Sequence, residues 1–191
     1  VPTDTANYNT LSAQAAGNFV IDKINQTAVT LAGPASATYG TTPTLTISGG
    51  SGTGAVTFSV GASTGCSVSG STLSVISVAD TCAVTATKAA DTNYNVASSI
   101  ATTITLTKAT PTATLAVTNS PATYTGAAQS ALVSVSASSV AGTFANTLTG
   151  GLATQTNAGT YAVTADFVPT DTVNYNTLTG LGAGNFVINK A

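Results

Sequence analysis

The chain contains no methionine, tryptophan, histidine, arginine or glutamate. Each absence excludes something. With no arginine, and four lysines against six acidic residues, there is no basic cluster to neutralise phosphates, so no nucleic-acid partner is expected. Histidine and glutamate are the usual general bases and metal ligands, and without them no enzymatic activity, metal or cofactor is expected. No apolar run approaches the roughly 18 residues of a membrane-spanning helix, so no membrane span is expected. Charged residues make up only 5% of the chain, but 43% of it is hydrophobic, which argues against disorder. What fills the chain instead is 39 threonines and 19 serines, with much valine and glycine and few helix formers beyond alanine. That composition reads as all-β, with solubility supplied by hydroxyls and amides.

The chain also repeats itself. Residues 1–23 return as residues 168–190 with 17 of 23 positions identical, the mark of an array of repeated units. The reading is an internal stretch of a longer tandem array, one 167-residue period plus an overlap. A shorter period lies inside it. Asp4-Thr5-Ala6-Asn7-Tyr8-Asn9, Asp91-Thr92-Asn93-Tyr94-Asn95 and Asp171-Thr172-Val173-Asn174-Tyr175-Asn176 are versions of one motif. Each is followed by a strand-like run ending in lysine, at Lys23, Lys108 and Lys190, and Tyr39 and Tyr124 each stand 16 residues beyond the lysine before them. Two diverged domains are therefore expected, 24–109 and 110–191, with 1–23 as the last-strand region of a preceding repeat.

In the first domain strands are predicted at 27–31, 44–48, 55–60, 66–68, 72–78, 82–87 and 99–107, separated by glycine-, serine- and proline-rich turns. Seven short strands at this spacing are a sandwich signature. In the second domain the clearer strands are 112–118, 130–135, 142–148, 160–167 and 185–189. Alternation is cleanest in Tyr161-Ala162-Val163-Thr164-Ala165-Asp166-Phe167, which sends Thr164 and Asp166 to water.

Residues 120–130, SPATYTGAAQS, and the later run AGTYAVTADFVPTDTVNYN…GNFVINKA resemble the MBG family of mostly bacterial immunoglobulin-like domains. The likeness covers 108–191, and 1–23 as the tail of a preceding copy. Residues 24–109, with YGTTPTLTISGGSGTGAVTFSV and TCAVTATKAADTNYN, resemble a sister bacterial Ig-like repeat. The resemblance implies tandem immunoglobulin-like β-sandwiches arranged end to end, in a secreted or cell-surface bacterial protein. It implies no catalytic residues.

Four constellations invite chemistry. Cys66 and Cys82 are the only cysteines; they flank a predicted hairpin, and Cys82 occupies the place of Tyr161 in the second domain. There is no CxxC spacing and no histidine to act as base, so the reading is a structural disulfide of an exported protein. The Asp-Thr-x-Asn-Tyr-Asn loops suggest a catalytic aspartate or calcium, but calcium wants six or more oxygens. Asx-type turns account for Asp4, Asn7, Asp91, Asn93, Asp171 and Asn174, with Tyr8, Tyr94 and Tyr175 packing over the sandwich ends. The run Gly49-Gly50-Ser51-Gly52-Thr53-Gly54 resembles a phosphate cradle but lacks its Lys-Ser/Thr ending and a following helix. A Lys–Asn isopeptide bond needs a buried acid beside the pair; Lys88 is the only lysine away from a junction, and the junction lysines are expected in solvent.

The expected function is that of a structural repeat module in an extracellular filament, sheath or adhesin stalk, with neighbouring copies of itself as partners. The alternative is a ligand- or glycan-binding adhesin module, against which the shortage of aromatic rings counts.

Overall fold

The computed structural model describes residues 1–13 and 15–191, and among these every regular element is a β-strand. Residues 24–109 form β1 (Thr30–Ala32), β2 (Ser36–Thr38), β3 (Thr46–Ser48), β4 (Val56–Ser59), β5 (Cys66–Ser69), β6 (Thr72–Val75), β7 (Ala83–Lys88), β8 (Ala97–Ser98), β9 (Thr102–Thr103) and β10 (Thr105–Thr107). The hairpin β5–β6 continues through a Thr44↔Thr72 bridge to the antiparallel pair β1–β3. On the other side β7 pairs with β4, β8 and β9, and β10 runs parallel to β2. Between them lie Leu45, Leu73, Val84 and Ile104, with Cys66 and Cys82. Full burial of each of these aliphatic side chains contributes about 1.5–3 kcal/mol.

The run predicted as one strand at 99–107 is broken. At Ser99 the backbone N–H donates to the Ala86 carbonyl while the hydroxyl accepts from the Ala86 N–H, occupying both polar groups of that β7 residue. After Ile104, whose N–H donates to the Cys82 carbonyl, the chain leaves β7 for β2. One extended run thus serves two partners in turn, and the change of partner divides it.

Residues 110–191 form β11 (Ala113–Val117), β12 (Ala122–Thr123), β13 (Val133–Ser138), β14 (Gly142–Thr149), β15 (Gly159–Pro169) and β16 (Leu178–Asn189). One sheet has the order β12-β16-β15-β14; the other is the pair β11–β13. Leu115 and Val133 from the pair meet Val163, Ala165, Phe186 and Ile188 from the larger sheet in a second core. Strand β15 alternates as its sequence predicts, with Val163, Ala165 and Phe167 buried and Thr164 and Asp166 on the outer side.

Strand β16 begins seven residues earlier than the predicted start at Asn185. Thr179-Gly180-Leu181-Gly182-Ala183-Gly184 reads as a loop because glycines interrupt it, yet it continues the ladder with register shifts opposite Val163/Thr164 and Ala165/Phe167. Gly184 has φ +99°. Up to this point odd-numbered residues face the core (Leu181, Ala183); beyond it even-numbered ones do (Phe186, Ile188). One extra residue reverses the side-chain phase, as a β-bulge must. Asp166 ties the irregularities together: its carboxylate accepts from the Asn146 amide at 2.6 Å and the Gly180 N–H at 2.8 Å. These bonds, that of Asn146 foremost, hold its pKa below the usual carboxylate range.

Residues 1–23 enter neither core, and none of the described residues among them lies in a strand. The strand expected at 18–22 is thus not formed. The physical reason is that its equivalent, β16, already holds the place between β12 and β15.

Candidate functional site

The Asp-Thr-x-Asn-Tyr-Asn loops close on their own aspartate, and two of them, at Asp91 and Asp171, also grip the chain as it enters a unit. In the Asp91 loop one carboxylate oxygen accepts from the N–H groups of Asn93 (2.9 Å) and Tyr94 (2.8 Å). The other accepts from the Thr53 N–H at 2.6 Å and its hydroxyl at 3.2 Å. Each bond favours the charged form, and together, led by the Thr53 N–H, they lower the Asp91 pKa to about 2. Asp171 accepts from the Asn174 N–H (3.1 Å) and side-chain amide (2.8 Å); Asp4 does the same with Asn7, at 3.2 and 2.9 Å. Both lie below the ordinary carboxylate pKa, chiefly through the side-chain amide. These are Asx-type closures. Among the described residues no three of histidine, cysteine, aspartate and glutamate gather as a metal cluster.

The glycine-rich loop directs its N–H groups inward, where the chain itself supplies acceptors. Gly50 N–H meets the Thr27 hydroxyl at 3.0 Å, Gly52 N–H meets Gln26 Oε1 at 3.2 Å, and Thr53 N–H meets Asp91. Gln26, 9% exposed, also donates to the Ala89 and Asn95 carbonyls. Sequence reasoning overlooked this glutamine, since its partners lie 26, 63 and 69 residues away and no local pattern marks it.

The Asp91 and Asp171 loops also grip the residue that follows a junction lysine. Ile24 forms a parallel bridge with Tyr94, its N–H donating to the Asn93 carbonyl at 3.0 Å and its carbonyl accepting from Asn95 at 2.9 Å. Ala109 repeats the arrangement with Tyr175, bonding Asn174 and Asn176 at 2.9 Å each. The Asp171 loop reaches across to the first unit as well. Asn174 Oδ1 accepts from the Val78 N–H at 3.0 Å. The Tyr175 ring meets Tyr39 edge to face, with centroids 5.3 Å apart. Lys108 is exposed, as expected of a junction lysine, and its Nζ donates to the Thr172 carbonyl at 2.6 Å.

Of the three tyrosines expected over sandwich ends, Tyr175 packs on the neighbouring unit, Tyr94 is half-buried and Tyr8 is 66% exposed. Tyr39 and Val78, which complete the junction, were not predicted as contact residues; the position of Tyr39, 16 residues past Lys23, was the available signal. Cys66 and Cys82 form a disulfide with Cα atoms 5.5 Å apart, inside the first core. Lys88 lies on β7, opposite Val56 and Ala97.

No family model, curated protein or solved structure matches the chain.

The arrangement can hold a geometry. Its polar groups satisfy one another: among the described residues no buried side-chain nitrogen or oxygen lacks a partner. No helix among them is long and apolar enough to cross a membrane.

Proposed function

We propose that the chain is a structural repeat module, two tandem immunoglobulin-like β-sandwiches of an extracellular bacterial filament, sheath or adhesin stalk. Its work is spacing, stiffness and resistance to proteolysis. The observation that carries this reading is the junction at Lys108-Ala109. There the last strand of one unit passes into the next with no intervening linker, and three side-chain contacts cross the boundary: Asn174 to Val78, Tyr175 to Tyr39 and Lys108 to Thr172. Such a junction restricts bending, and repetition of it makes a rod. The buried disulfide suits an oxidising compartment, and a surface with four lysines and no arginine offers trypsin-like proteases few sites.

The same reading gives residues 1–23 a place. Phe19 is 92% exposed and Ile21 81%, whereas their repeat equivalents Phe186 and Ile188 are 1% and 2% exposed. An apolar strand needs partners for its side chains and its backbone. In a second copy of residues 110–169 the slot between β12 and β15 supplies both, so residues 18–22 are the final strand of such a copy.

The chain has no free cysteine, which makes spin labelling direct. Nitroxides at Thr57→Cys and Thr143→Cys, exposed sites on the two units, should report one narrow distance distribution. A broad distribution would show freely jointed units and remove the basis for a stiff module.

A further inference from the structure

We propose that the pole of the second unit formed by Tyr124 and Asn157 is the seat for the Asp91 loop of a second copy of this chain, joined head to tail. This rests on the repeat-module reading and extends it to a contact that one chain does not make with itself.

The occupied junction supplies the template. Tyr39 receives the Tyr175 ring, and its N–H donates to the carbonyl of Thr107, the residue before Lys108, at 2.9 Å. Tyr124 stands in the same relation to the second unit: its N–H donates at 2.9 Å to the carbonyl of Asn189, the residue before Lys190. Val78, whose N–H meets Asn174, lies four residues before Cys82, and Asn157 lies four residues before Tyr161. The equivalence is structural as well as sequential, since Ala83 pairs with Thr103 in one unit and Ala162 with Asn185 in the other. On the incoming side Asn93 and Tyr94 match Asn174 and Tyr175, and each tyrosine bridges the residue after a junction lysine.

Receptor and insert are thus both present in the chain, and both are open. Asn174 at the filled junction is 9% exposed, while Asn93, Asn157 and Tyr124 are exposed, Tyr124 at 41%. Tyr124, Asn157, Ala158, Lys190 and Ala191 line a surface hollow at this pole. The occupant is a second copy because the loop that fills the corresponding seat is this chain's own. Seated in the same way, Asn93 Oδ1 accepts from the Asn157 N–H, the Tyr94 ring meets Tyr124, and Lys190 reaches the Thr92 carbonyl.

The test is amide exchange by NMR in a two-period chain, residues 1–190 followed by residues 24–191, with the first copy isotope-labelled. Asn157 N–H of that copy should exchange about five- to tenfold more slowly than in the single chain, the protection expected of one added hydrogen bond. Asn93→Ala in the second copy, or Tyr124→Ala in the first, should abolish the slowing. The Val78 N–H is the internal standard. Equal Asn157 rates in the single and two-period chains, with Val78 protected in both, would overturn the proposal and leave the junction reading standing. An unprotected Val78 would overturn the junction reading and the proposal with it.

Discussion

Reducing the disulfide should destabilise the first unit alone. Cys66 opens β5 and Cys82 precedes β7, 16 residues apart in sequence, and both sulfur-bearing residues are almost wholly buried, at 2% and 0% exposure. Opening the bond leaves both side chains in a core with Leu73, Val84 and Ile104, so little apolar burial changes. What changes is the unfolded chain, which regains the freedom of a loop of this length. The chain-entropy relation puts that at about 3 kcal/mol. For a unit of this size each kcal/mol moves the midpoint by about 4–8 °C, so the first-unit transition should fall by about 12–24 °C. The assay is differential scanning calorimetry with and without reductant. The second unit, which has Tyr161 in place of Cys82 and no cysteine, is the internal reference. A first-unit transition that stays put on verified reduction, or equal falls in both units, would refute the reasoning.

Acid should loosen the loops. The folded pKa values of Asp91, Asp171 and Asp4 lie below the ordinary value, that of Asp91 at about 2. Stability from these bonds is therefore fully present above the unfolded pKa near 4 and is lost as pH falls through the folded values; NMR titration of the Asp91 carboxyl at an ordinary midpoint would contradict this. Two glycines in β16 separate backbone strain from space, since a Cβ at either meets nothing within 4 Å. Gly184→Ala, at φ +99°, should cost about 1–2 kcal/mol in denaturant unfolding, while Gly182→Ala should be neutral or slightly stabilising; equal effects would remove the bulge argument. Asn174→Ala removes the acceptor for Val78 and should weaken coupling between the units by about 1 kcal/mol, seen as wider separation of their melting transitions. Unchanged separation would mean that this bond does not join them.

The strands that could be read from sequence were those with a strong side-chain period or a clear turn on each side. Strand β15 alternates for its whole core-facing length, β4 to β6 are bounded by glycine and serine turns, and β7 follows the Ala79-Asp80 turn. Strands β2, β8 and β12 were missed because two or three residues cannot display a period; they are defined by their partners, β10, β7 and β16. The first half of β16 was missed for a different reason. Its glycines mark turns by local preference, and only pairing with β15 makes bulges of them. The Asx closures were legible because Asp and Asn bond within a few residues. The contacts of Tyr175 with Tyr39 and Asn174 with Val78 join positions 136 and 96 residues apart in sequence, and no local pattern announces them. The repeat did point to equivalent positions, which is why Tyr39 and Tyr124 stand out once one junction is known.

The central claim is stiffness that accumulates with repetition, and small-angle X-ray scattering of arrays of one, two, three and four 167-residue periods tests it most directly. At a rise of about 3.3 Å per strand residue, each unit contributes roughly 30–40 Å along the rod. The account predicts a maximum dimension that grows linearly, by roughly 60–80 Å per period on the same rise. Growth as the square root of the number of periods, the behaviour of flexibly linked beads, would contradict it.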